Sequence, residues 1–128
     1  MSFGTKDFSD LIYKTLEELE ESVILVKPNT NSTFPCREMN TPLKSINKVN
    51  QAIEIFQISI THWHEELRNA MKMSDETDEK LIELNLIRIS TDAYFYDETS
   101  QKYAITSTYE VHYNKITNAF QIIKLGGI

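Results

Sequence analysis

Residues 53–60 read Ile-Glu-Ile-Phe-Gln-Ile-Ser-Ile and continue through Thr61 and His62 to Trp63. β-Branched and aromatic side chains dominate, and no glycine or proline interrupts them, so Gln51 to Trp63 is predicted as a strand. Ala52, Phe56, Ile58 and Ile60 share one face, and Ile53 and Ile55 share the other with Gln57 and Ser59. One face is apolar throughout and the other only early, which describes a central strand partly covered on both sides.

Outward from this strand the order of elements follows. Asp7 to Ser22 carries Phe8, Leu11, Ile12, Leu16 and Leu19 at helical spacing, with Asp7 as N-cap. Val23 to Lys27 is a short apolar run that Pro28 ends, and Asn29 to Pro42 is a long loop, interrupted by a short strand around Phe34 to Glu38. Lys44 to Asn50 is polar and leads into the central strand. After Trp63, a helix from Glu65 to about Asn85 uses Leu67, Ala70, Met71, Ser74, Leu81 and Ile82. The run Asp75 to Glu79 is either its solvated face or a break capped by Ser74 or Asp75. Leu86 to Ser90 then leads into a hairpin, with Ala93 to Tyr96 as one arm and Lys102 to Tyr113 as the other. Asn114 to Asn118 turns into a last strand, Ala119 to Leu125, before a flexible Gly126-Gly127-Ile128 end. The fold class expected is α+β over residues 1–128 as one domain. It has a mainly antiparallel sheet of about four to five strands, two helices on one face, and a long loop after the first strand.

Composition removes several functions. The 128 residues hold 19 acidic and 13 basic side chains, a net charge of −6, which disfavours broad adhesion to nucleic acid or anionic membrane. Only three glycines occur, and none lies between residues 5 and 125, so neither a phosphate-cradling loop nor a nucleophile elbow is available there. The single cysteine, Cys36, cannot form an intrachain disulfide and suits a reducing compartment. With no signal-like start and no run of about 18 apolar residues, a soluble intracellular protein is expected.

Catalysis finds little support. His62 and His64, two apart on a strand, point to one face and could share an ion, but no third ligand is identifiable. The helical zinc-protease spacing begun by His64-Glu65 ends at Arg68 where a histidine is required. Trp63 reads as the cover of a core edge with its indole N–H bonded at the rim. The aromatics Tyr94, Phe95, Tyr96, Tyr103, Tyr109 and Tyr113 lack the basic interleaving that base stacking needs, so cross-strand pairing and packing under the helices explain them. The expectation is no enzyme, no metal and no cofactor.

The opening helix followed at once by Val23-Ile24-Leu25-Val26, the Pro- and Asn-rich excursion, and the strand Ile53 to Trp63 running into an aromatic before a second helix form a pattern. With the closing hairpin of Tyr96-Asp97-Glu98-Thr99 and Tyr103 to Tyr113, it resembles the tail terminator (tail-to-head joining, or neck) proteins of long-tailed bacteriophages. A glycine of that family after the second helix is replaced by Asn85, which can also adopt a left-handed cap. The resemblance implies a virion structural protein, assembled in the bacterial cytoplasm, that forms a ring, usually hexameric. The ring caps the tail tube, stops its elongation and joins the head connector or head-completion protein, while DNA passes through without specific binding. Candidate contacts with neighbouring subunits or partners are Pro28, Asn29, Phe34, Pro35, Arg37, Pro42, Tyr94, Tyr96 and Tyr103. Candidates for an acidic channel lining are Glu17, Glu18, Glu20, Glu21, Asp75, Glu76, Asp78 and Glu79. The alternative is a small acidic α+β binding module or inhibitor that captures a basic partner.

Overall fold

A computed structural model describes residues 3–29 and 31–121. Among the described residues there are two α-helices, α1 (Thr5–Leu16) and α2 (Leu67–Leu81). The eight strands are β1 (Ser22–Ile24), β2 (Cys36–Met39), β3 (Leu43–Ile46), β4 (Ile53–His64), β5 (Ile87–Thr91), β6 (Phe95–Asp97), β7 (Lys102–Asn114) and β8 (Ala119–Gln121). All join one mixed sheet, so the α+β class holds.

Two long strands carry the sheet. β4 and β7 pair antiparallel over their whole lengths, from Ile53↔Asn114 to His64↔Tyr103. Short strands flank them: β2 and β3 along the outer side of β4, and β5, β6 and β8 along the outer side of β7, with β1 beyond β2. The expected four to five strands therefore become eight. Every pair is antiparallel except β1 with β2, which is parallel. The segments read only as lead-ins, around Lys44 and Leu86, form the short strands β3 and β5.

The pattern of Ile53 to Trp63 does decide the arrangement. Phe56, Ile58 and Ile60 point to the helical side and pack with Phe8, Ile12, Leu16, Leu81, Leu86, Tyr109 and Val111 as the main core. On the opposite side, Trp63 packs with Cys36 and Ala104 in a second, smaller cluster that Ile24 and Phe34 partly cover. Ala104 lies across from Trp63 on one neighbour and from Phe95 on the other, and its small side chain lets those two rings meet edge-to-face at 5.6 Å. Between these clusters the open face is a ladder of hydroxyls and amides, with Ser59 to Thr108 and Thr61 to Thr106 each at 2.8 Å, and Gln57 donating to Glu110 at 2.7 Å.

Helix ends differ from expectation in instructive ways. Helix α1 starts at Thr5 with Gly4 as N-cap, and Asp7, expected as the cap, instead accepts the Gly4 N–H with its carboxylate at 2.8 Å. The acidic run Asp75 to Glu79 does not break α2. Its buried stripe is Ala70, Met73, Ser74, Thr77 and Leu81, whereas Met71 and Ile82, expected inside, are exposed. Ser74 is inside as expected, while the expected stripe misses Met73 and Thr77, the latter buried for its hydroxyl. Asn85, at φ 68°, ends the 3-10 turn that follows α2 in the left-handed conformation expected of it. The proposed strand beyond Gln121 and the glycine-rich end lie outside the described residues.

Candidate functional site

The elements β2, β4 and α2 converge on a polar centre that hydropathy alone does not show. Arg37, on β2, is fully buried. Its Nε donates to Thr77 Oγ1 at 2.8 Å, one terminal nitrogen to Glu21 Oε1 at 2.7 Å, and the other to the Met73 carbonyl at 3.1 Å. Glu76 stands 3.8 Å from the same guanidinium. A buried guanidinium is tolerable only with its donors satisfied, and here one strand thereby ties the turn between α1 and β1 to α2.

His62, also fully buried, completes this centre. Its Nδ1 lies 3.1 Å from the Ile105 carbonyl and its Nε2 2.8 Å from Thr77 Oγ1. A carbonyl only accepts, so the proton sits on Nδ1, and Nε2 accepts from the Thr77 hydroxyl. Arg37, Thr77 and His62 thus donate in one direction, the last to the Ile105 carbonyl. Burial pushes the imidazole down to about 3, against a smaller opposing effect of the Ile105 hydrogen bond. His64, on the same face, accepts the Glu66 N–H on Nδ1 at 3.0 Å at the start of α2. Both histidines therefore have partners within the fold, and no group of three or more His, Cys, Asp or Glu that could hold a metal ion occurs among the described residues. Cys36 is buried beside Trp63, and burial pushes its thiol up to about 12.

The acidic candidates divide into two sets. Glu21 and Glu76 face Arg37, Asp75 and Asp78 pair with Arg88, and Glu18 pairs with Lys80. Asp78 also accepts the Tyr109 hydroxyl at 2.5 Å, and burial with that bond raises the phenol. Glu17, Glu20 and Glu79 are exposed and make no ion pair among the described residues. Glu18 and Asp75 stay largely exposed despite their pairs and add to the acidic surface on the helical side, whereas Glu21 and Asp78 are mostly covered and tie elements together.

The contact candidates need a correction. Arg37 is consumed by the polar centre, and Pro28 and Pro42 are buried within the chain, so these three present no surface to a partner. Asn29 is exposed, and Phe34 and Pro35 are half-buried. The latter two line an open cleft of about 380 Å³ with Thr33, Ser22, Glu20 and Glu21. Phe34 leans on Trp63 with Lys102 Nζ 4.8 Å from its ring centre. Tyr94 and Tyr96 are exposed and flank Tyr103 at 5.9 and 5.0 Å, the cross-strand pairing expected of the hairpin. Trp63 donates its indole N–H to Glu38 at 3.0 Å, the rim bond its position implied.

Sequence reasoning named Tyr94 and Tyr96 but missed the rest of the surface that the sheet leaves open. Leu43, Ile46 and Val49 are exposed on and after β3, and Ile89, Tyr94, Phe95 and Tyr96 are exposed along the β5–β6 side. The signal for the first group was present. Asn47 and Asn50 accept backbone N–H groups two or three residues ahead, marking a tight connection that makes the preceding residues a strand. No helix among the described residues is long and apolar enough to cross a membrane, which leaves β-barrels aside. Comparison with protein-family models and with curated proteins finds no match.

Proposed function

We propose that this chain is a structural assembly protein of long-tailed bacteriophages. Its copies form a ring, hexameric by the family resemblance, that caps the tail tube, ends its elongation and presents a face to the head connector. The observation that carries the reading is a sheet with both flanks open, each bearing exposed apolar side chains, on one body. Two different open flanks on one body are what head-to-tail association requires, and head-to-tail contacts that close give rings.

The reading assigns no catalytic residue, metal or cofactor to the chain. DNA crosses the channel without specific binding, which the surplus of acid favours. The virion is its place in this reading. The acidic-inhibitor alternative draws on the same carboxylates, yet five of the eight candidates are engaged by Arg37, Arg88 or Lys80, which favours assembly over capture of a basic partner.

Electron microscopy of the purified protein, alone and added to polymerising tail-tube subunits, tests the reading. Rings at tube ends and tubes that stop growing are expected. A protein that never forms rings and leaves tube length unchanged refutes it.

A further inference from the structure

We infer that the β3 edge of one copy pairs with the β5–β6 edge of the next, so that adjoining subunits share a continuous sheet. This inference rests on the ring reading for its biological use, but not for its physical basis.

The hydrogen-bond pattern shows which peptide groups are free. Asn47 donates to Ile53 O and Asp92 donates to Thr106 O, which sets the alternation on each flank. Residues in step with Asn47 bond toward β4, so the peptide groups of Lys44 and Ile46 point away from the sheet. By the same alternation, Ser90, Asp92, Phe95 and Asp97 bond toward β7, and those of Thr91 and Tyr96 point away. Each flank therefore offers unpaired donors and acceptors, the arrangement that recruits another strand.

Direction and charge agree. β3 runs antiparallel to β4, β4 to β7, and β7 to β5. A second copy placed beside the first with its strands unreversed brings its β3 antiparallel to β5. Lys48 is exposed just after β3, where Lys44 is already paired with Glu54 at 3.0 Å, while Asp92 and Glu98 are exposed on the opposite flank. Apolar side chains accompany both, with Ile46 55% and Leu43 65% exposed against Ile89 at 43% and Phe95 at 47%. The occupant that fits each flank is the other flank of the same chain.

Two half-blocked variants test this. Ile46→Pro removes an N–H that the fold does not use, and proline is tolerated at such edge positions. Ile89→Lys places a charge on the other flank at the irregularity between Arg88 and Ser90, where no ladder pair is made. Circular dichroism and urea unfolding establish that each variant is folded, with Ile46→Lys and Thr91→Lys as substitutes should either fail. Analytical ultracentrifugation is expected to show self-association in the parent protein, weakened roughly tenfold or more in each variant alone. An equimolar mixture should form a 1:1 dimer, because each variant keeps the edge the other lacks. Either variant associating as strongly as the parent, or a mixture that stays monomeric, overturns the inference, as does a parent that stays monomeric at the highest soluble concentration. Parent and variants that all form rings overturn this interface and leave the ring reading intact. A variant mixture that dimerises while the parent never engages tail tubes supports the interface and refutes the ring reading.

Discussion

His62 makes the stability of this protein depend on pH in a way that can be calculated. The imidazole has an ordinary value of 6.5, and burial pushes it down to about 3 in the folded chain. Between those values the unfolded chain binds a proton that the folded chain refuses, so stability is full above about pH 6.5 and falls as the pH drops toward 3. The whole span corresponds to about 5 kcal/mol at 1.36 kcal/mol per pH unit, and the part lost between about pH 7.5 and pH 5 is ~2 kcal/mol. Geometry gives the cause. A charged imidazolium would be held away from water and beside the Arg37 guanidinium, and the Ile105 hydrogen bond and Asp78 offset this only in part. The comparison variant is His62→Asn, whose amide can still donate toward Ile105 but does not titrate, while Thr77 can turn its hydroxyl to the Met73 carbonyl at 3.0 Å. Urea unfolding of both proteins at the two pH values supplies the assay, since contributions common to the rest of the chain cancel in the difference. The parent should lose ~2 kcal/mol more than the variant on acidification. Equal losses would refute the placement of His62 as a buried neutral donor-acceptor.

Other consequences follow from the same structure. Arg37→Met should cost about 3 kcal/mol by urea unfolding, because Glu21 and Thr77 lose their partner, whereas Glu20→Gln should stay within about 0.5 kcal/mol. Asn85→Ala should lower stability by about 1–2 kcal/mol because alanine resists the left-handed conformation, while Asn85→Gly should lose less, giving up only the bond to the Phe120 carbonyl. Cys36, buried with its thiol pushed up to about 12, should resist Ellman's reagent in the native protein and react fully in denaturant. Trp63→Phe should cost about 1–2 kcal/mol by thermal unfolding, through the lost indole bond to Glu38 and the reduced contact with Phe34 and Phe95.

Legibility in the sequence followed the length and regularity of each element. Ile53 to Trp63 and Tyr103 to Tyr113 span enough residues for the period of two to emerge, and both became the long central strands. β1 and β6 were read near their observed places, but β3 is four residues long within a segment read as polar, too short for periodicity to separate from chance, and its existence depends on the neighbour it pairs with. Ser74 was placed on the buried stripe of α2 from the sequence, but Thr77 was not, because its partners His62 and Arg37 come from distant parts of the chain. Arg37 was taken for a surface residue for the same reason: its acceptors lie 16 to 40 residues away. Of the contact surface, Tyr94 and Tyr96 were named from the sequence, while Leu43, Ile46 and Ile89 emerge only when the flanks of the sheet are known.

What the sequence by itself determined is the local layer: an α+β order of elements, the two faces of the central strand, and the left-handed end at Asn85. These depend on interactions between residues close in the chain, so composition and spacing carry them. Only the tertiary structure decided which polar groups are buried together and which sheet edges are open. Hydrogen-bond satisfaction and edge exposure are properties of neighbours brought in from elsewhere in the chain, and no local pattern encodes them.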